Sequence, residues 1–135
     1  MTTTIAMLTL DCAEVTPAAD FWKAALGYEQ VAGDGENYAM LKAPGAAAGT
    51  AAGTAAPGPA LGLGKVEDYQ PPAWPNPHGS KQFHLDLAAE DIDAETERLV
   101  GLGATLADPQ PGETWRVLLD PAGHPFCVTN AANWG

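Results

Sequence analysis

His84 and Asp86 stand two residues apart in Gln82-Phe-His-Leu-Asp-Leu-Ala-Ala89. The run alternates, so a β-strand puts His84, Asp86 and Ala88 on one face and Phe83, Leu85 and Leu87 on the other. A histidine can move a proton or hold a ligand near neutral pH. Cys127 lies in a second strand pattern, His124 to Thr129. A thiol and an imidazole on neighbouring strands would make a nucleophile pair, but nothing in the sequence marks this thiol as activated. His84 has a plainer reading as a core histidine satisfied by Asp86 or by backbone. A Ser–His–Asp triad has no support, because the only serine is Ser80, in a proline-rich connector. Cys12 and Cys127 do not make a disulfide framework and read as free thiols that pack as small apolar groups.

The elements that must position these residues form one unit, Gln82 to Asn130. The acidic run Glu90-Asp-Ile-Asp93 suits the positive end of a helix. Ile92, Thr96, Leu99, Val100 and Gly103 follow at helical spacing, with Gly101 and Gly103 at the exit. A short strand and then a strand over Trp115–Leu119 come next. Asp120-Pro-Ala-Gly123 has the residues of a tight reverse turn, and the chain returns as a strand from His124. The unit is βαβββ.

An earlier stretch echoes it. Leu8–Val15 lies over His84–Asp91, Leu26-Gly27 over Leu102-Gly103, and Glu36–Leu41 over Glu113–Leu118, aromatic on aromatic. Two copies of one supersecondary unit are the economical reading. In this first copy the expected elements are a strand over Thr4–Leu10, a helix opened by Thr16-Pro17 and closed by Gly27, and strands over Tyr28–Ala32, Asn37–Lys42 and Pro59–Val66. Residues 43–58 carry no charge and no bulky apolar side chain, which predicts a long surface loop or a lid. Glu67–Ser80 holds four prolines and is expected to be an extended connector. Its Tyr69 and Trp74 need something to pack against, and Trp74 is a candidate pocket wall. The organisation expected is a single domain over 1–135: module one 1–66, connector 67–80 and module two 81–135.

The net charge of −11, from 17 acids against 6 bases, argues against nucleic acid. It is compatible with a cationic ligand or simply with a solvated acidic surface. No apolar run approaches the ~20 residues that span a bilayer. With no signal-peptide pattern, the expected location is cytoplasmic.

His84-Leu-Asp-Leu, the acidic helix start, Leu102-Gly-Ala104, the Pro71-Pro-Ala-Trp-Pro75 connector and Trp115-Arg-Val-Leu-Leu-Asp-Pro-Ala-Gly-His-Pro-Phe-Cys127 resemble a glyoxalase-like protein of the vicinal oxygen chelate superfamily, of the bleomycin-resistance type. The Asp-Pro-x-Gly-His turn is the most specific part. The resemblance implies an α+β fold of two βαβββ modules forming a curled, cavity-enclosing mixed sheet, and a homodimer. It also implies metal-ligand positions on the first and last strands: Leu8 and His84, and near Leu63-Gly64 and Cys127. Leu and Gly offer no donor, and His with Cys falls short of a full zinc set unless Asp86 joins. The expectation is therefore no metal and no cofactor.

The same resemblance puts Trp115 and Val117, with Tyr38 and Met40 in the first copy, on the ligand side. With Leu63, Trp74, His84, Asp86 and Cys127 they form the expected ligand-binding set. It is mostly apolar and bears aromatic rings. The function expected is non-catalytic sequestration of an aromatic or apolar natural product, as in antibiotic self-resistance. The alternative is a metal-dependent lyase, isomerase or dioxygenase using His84, Asp86 and Cys127.

Overall fold

The computed structural model describes residues 2–45 and 58–134. Most of the 43–58 stretch, expected to be a loop or lid, lies outside the described residues. The chain divides into two compact units, 1–69 and 70–135.

The first unit runs β1 (Met7–Cys12), α1 (Val15–Leu26), β2 (Glu29–Gly33), β3 (Tyr38–Lys42) and β4 (Ala60–Lys65). Its sheet has the order β1-β4-β3-β2, with β1 parallel to β4 and the other pairs antiparallel. Helix α1 packs on β3 and β4 and buries Val15, Ala18, Ala19, Phe21 and Trp22. Phe21 meets Trp22 edge-on, with centroids 5.1 Å apart. Under the helix lie Ala39, Leu41, Leu61 and Leu63, all buried. Gly27 closes α1 in the left-handed conformation, φ 67°.

Two local expectations fail here. The strand expected over Thr4–Leu10 starts and ends later, because its partner β4 begins at Ala60 and pairs Met7 with it. Thr16 is not the cap of α1. Glu14 holds that place without a side-chain bond, and the Thr16 hydroxyl donates instead to the Gly35 carbonyl at 2.8 Å. The turn from β2 to β3 is tied by Asp34, whose carboxylate accepts from the N–H groups of Glu36, Asn37 and Tyr38 and from the Asn37 amide. The Asn37 side chain, then the backbone donors, hold its carboxyl well below the usual carboxylate range.

The second unit repeats the plan with β5 (Asp86–Ala89), α2 (Ile92–Leu102), β6 (Thr105–Leu106), β7 (Arg116–Leu119) and β8 (Pro125–Asn130), followed by a 3-10 turn over Ala131–Trp134. The sheet order is β5-β8-β7-β6, again with the first and last strands parallel. Asp91 caps α2 by accepting from the Ala94 N–H at 3.0 Å. Leu99 of that helix is fully buried, as are Leu118, Phe126 and Val128. The strand expected from Gln82 is shorter at its start. Gln82 has φ 60°, and Phe83 is fully exposed. Pairing begins where Leu85 accepts from the Cys127 N–H at 2.8 Å.

The Asp120–Gly123 turn forms as its residues dictate. The Gly123 N–H donates to the Asp120 carbonyl at 2.9 Å, and Gly123 sits at φ 89°. A Cβ there would also lie 2.7 Å from Pro71, so glycine is required twice over. The Asp120 carboxylate, 4% exposed, accepts from the N–H groups of Ala122 and His124 and from His124 Nδ1 at 2.8 Å. It therefore ties β7 to β8. Asp120→Ala strands those donors, and we expect it to lower the unfolding free energy by about 2–3 kcal/mol, measured by urea denaturation.

Candidate ligand-binding site

The register of the second sheet decides which side chains share a face. Asp86 pairs with Cys127 in parallel, and Val117 pairs with Cys127 in antiparallel. Asp86, Cys127 and Val117 thus point to one side, with His84 and Trp115 two residues along their strands. Leu87, Val128 and Leu118 point to the other.

On the first side lies a cleft of about 360 Å³. His84, Asp86, Trp115 and Cys127 line it, together with Lys81 and Trp134. His84 Nε2 is 3.4 Å from Asp86 Oδ1. His84 Nδ1 faces the Gln82 carbonyl at 3.4 Å. A ligand atom each from His84, Asp86 and Cys127 lies within 4.8 Å of the others. Both aromatic walls are fixed. Trp115 lies so close over Gly112 that a Cβ there would strike its ring, so residue 112 must be glycine. Trp134 Nε1 donates to Thr129 Oγ1 at 2.8 Å, and that hydroxyl donates to the Leu87 carbonyl at 2.9 Å. Trp134 remains 62% exposed, which leaves a rim indole open to a ligand.

Behind the cleft, Ala107, Val117 and Cys127 form a small buried cluster, and Trp74 and Trp115 pack against it. Trp74 thus does have the packing partner that the connector composition demanded. Gln110 locks this region: its amide donates to the carbonyls of Ala107 and Val117 and accepts from the Val117 N–H at 2.8 Å.

Sequence placement and structural placement differ in the first unit. Tyr38 pairs with Gly64 and Met40 with Gly62, so Tyr38 and Met40 share one face. Leu63 pairs with Ala39 and stands on the opposite face, buried with Leu41 and Leu61 on the helix side. It is a core residue and not a cleft-face residue. Leu8 and Leu10, paired with Leu61 and Leu63, belong to that same helix face. The repeat alignment was one residue out in this strand. Counting from the helix start, Thr9 corresponds to Asp86 and Gly62 to Cys127, and a one-residue slip exchanges the two faces. The third-strand pairing was in register, which is why Tyr38 and Met40 do match Trp115 and Val117. Lys81, Thr129 and Trp134 were missed. Thr129 could have been found by continuing the alternation two residues beyond Cys127. Trp134 had no periodic signal, because a 3-10 turn places it.

The chemistry of the cluster follows from burial. Burial pushes the Cys127 thiol up from its ordinary 9.0 to about 11; Lys81 opposes the shift, and Asp86 adds to it through charge and a hydrogen bond. At neutral pH the sulfur is a protonated thiol, not a nucleophile. The fold prefers the protonated form, so the unfolded chain loses its proton first as pH rises. Stability should therefore fall between about pH 9 and 11. We expect Cys127→Ala to make that decline shallower in urea denaturation across the same range; an unchanged slope would contradict the burial account.

The family model described as a glyoxalase-like domain matches residues 7–129. No curated protein sequence matches. Among solved structures, the chain is similar to a possible glyoxalase from Bacillus cereus, at 21% identity and TM-score 0.64, over 95% of this chain and 99% of that one. It is similar to a glyoxalase/bleomycin resistance protein/dioxygenase family enzyme from Burkholderia phytofirmans PsJN, at 13% identity and TM-score 0.64, over 96% and 99%. It is also similar to a lactoylglutathione lyase from Agrobacterium tumefaciens, at 19% identity and TM-score 0.60, over 99% and 98%. At these identities the structures speak for the fold alone. The two βαβββ units and the match over 7–129 place the chain in the glyoxalase-like domain family, within the vicinal oxygen chelate superfamily.

Proposed function

We propose that this chain is a small-molecule binding protein that holds an aromatic or apolar natural product without transforming it, as a self-resistance protein would. The observation that carries this reading is the cleft of the second unit, with Trp115 and Trp134 as its walls and the protonated Cys127 thiol at its floor. Two indoles supply stacking area at low entropic cost, whereas a protonated thiol supplies no nucleophile. A cleft of about 360 Å³ suits a small ligand. Trp74 of the second unit remains part of the proposed set, and Tyr38 and Met40 are proposed separately as ligand-facing residues on their own face of the first unit's sheet. A homodimer belongs to the same proposal, and gel filtration tests it. No helix among the described residues is long and apolar enough to cross a membrane.

A second reading rests on the His84, Asp86 and Cys127 donors lying within 4.8 Å of one another. One nitrogen, one carboxylate oxygen and one sulfur fit a borderline-soft divalent ion such as Zn²⁺ and not the all-oxygen preference of Mg²⁺. These three residues would hold the ion, and it would supply Lewis-acid polarisation of a ligand oxygen. Cys127 would have to lose its proton first, which makes uptake strongly pH-dependent.

Two measurements separate the readings. Titration of aromatic natural products against tryptophan fluorescence should find a binder, and Trp115→Ala should weaken it by about 1–3 kcal/mol. No binder tighter than millimolar across a broad panel would sink the first reading. Elemental analysis of untagged protein should show stoichiometric zinc, lost in His84→Ala, only if the second is right.

A further inference from the structure

We propose that the cleft of the second unit takes an aromatic ligand that carries a carboxylate-class anionic group, and that Lys81 reads that charge. This rests on the binding reading above and names the chemistry of the ligand.

The ammonium of Lys81 is already in place. Lys81 lines the cleft, and its Nζ lies 4.7 Å from the centroid of the Trp74 ring. Trp74 is itself held by packing against Ala107, Val117 and Cys127, and its buried Nε1 has no partner among the described residues. The indole is thus a rigid platform that fixes a cation by its π face. Among the described residues no carboxylate lies within ion-pair distance of Lys81; the recorded pairs join Lys23, His84, Arg98, Arg116 and His124 to acids. The one acid on the cleft wall, Asp86, faces His84 at 3.4 Å.

The charge balance of the cleft also departs from that of the chain. The whole molecule carries −11. The cleft wall holds one carboxylate, one lysine and one histidine. A cationic ligand, which the overall acidity would attract from a distance, meets the Lys81 ammonium on arrival. An anionic group gains a charge-assisted hydrogen bond there, while the aromatic body of the ligand lies against Trp115 and Trp134. The long-range field and the local site therefore select opposite charges, and the short-range interaction in a partly desolvated cleft is the stronger.

The test compares 2-naphthoate with its neutral isostere 2-naphthamide by isothermal titration calorimetry. In the wild-type protein we expect the carboxylate to bind about tenfold more tightly at low salt, with the gap narrowing as salt rises. Lys81→Arg should keep the gap and Lys81→Met should close it. Equal affinities in the wild type, or a gap that survives Lys81→Met, would overturn the role of Lys81 while leaving an aromatic-binding cleft standing. Failure of both probes to bind at millimolar concentration would overturn this assignment, while the binding reading stands or falls on the broad panel. Should Lys81→Met not fold, the salt dependence of the wild-type gap decides the matter alone.

Discussion

The site depends on the parallel pairing of β5 with β8. Asp86 stands beside Cys127, and Cys127 donates its N–H to Leu85. That register is what brings Cys127, from the last strand of the second unit, to His84 and Asp86 at its first. It also sends Leu87 and Val128 to the opposite face, the one on which α2 packs against β8. A slip of one residue in β5 would turn the carboxylate to the helix face and the leucine to the cleft. The hydrophobic demand of the helix face therefore fixes the polar arrangement of the other face, although the two sets of side chains never meet.

Burial then sets the chemical character of that arrangement. Cys127 sits at the boundary between the apolar cluster of Ala107 and Val117 and the polar wall of His84 and Asp86. A thiol in that place is held protonated, and its carboxylate neighbour reinforces the effect. The same carboxylate is within reach of an imidazole. The thiol is thus held protonated beside a polar wall, which suits the proposed binding role and does not suit a thiolate nucleophile.

Much of this was legible in the sequence, and the failures have physical causes. The helix ends were readable because Gly27 and Gly103 have few conformational rivals at a helix exit. The turn at Asp120–Gly123 was readable because its residues bond one another locally. His84 and Asp86 were placed on one face by parity within their strand, and Cys127 joined them through the family resemblance. Leu8 was misplaced because the repeat has a twelve-residue helix in one copy and an eleven-residue helix in the other, and Leu63 was placed as the partner of that strand. An alignment anchored at the helix exit is then one residue out in the strand before it. The capping role given to Thr16 failed because the hydroxyl found a partner nineteen residues away, information that local sequence does not carry. Trp134 could not be read at all, since its place depends on Thr129, which in turn depends on Leu87.

The first strand of each unit finds its neighbour only in the last. Cys12 meets Gly64 across 52 residues, and Leu87 meets Thr129 across 42. During synthesis each opening strand must wait, unpaired, until nearly its whole module has emerged. Loop closure over such spans makes assembly slow relative to a hairpin or a helix pair. The antiparallel β6–β7–β8 meander, by contrast, needs only near neighbours. Chain topology therefore favours the second unit gathering from its carboxyl-terminal meander, with the Asp86-bearing edge docking after it.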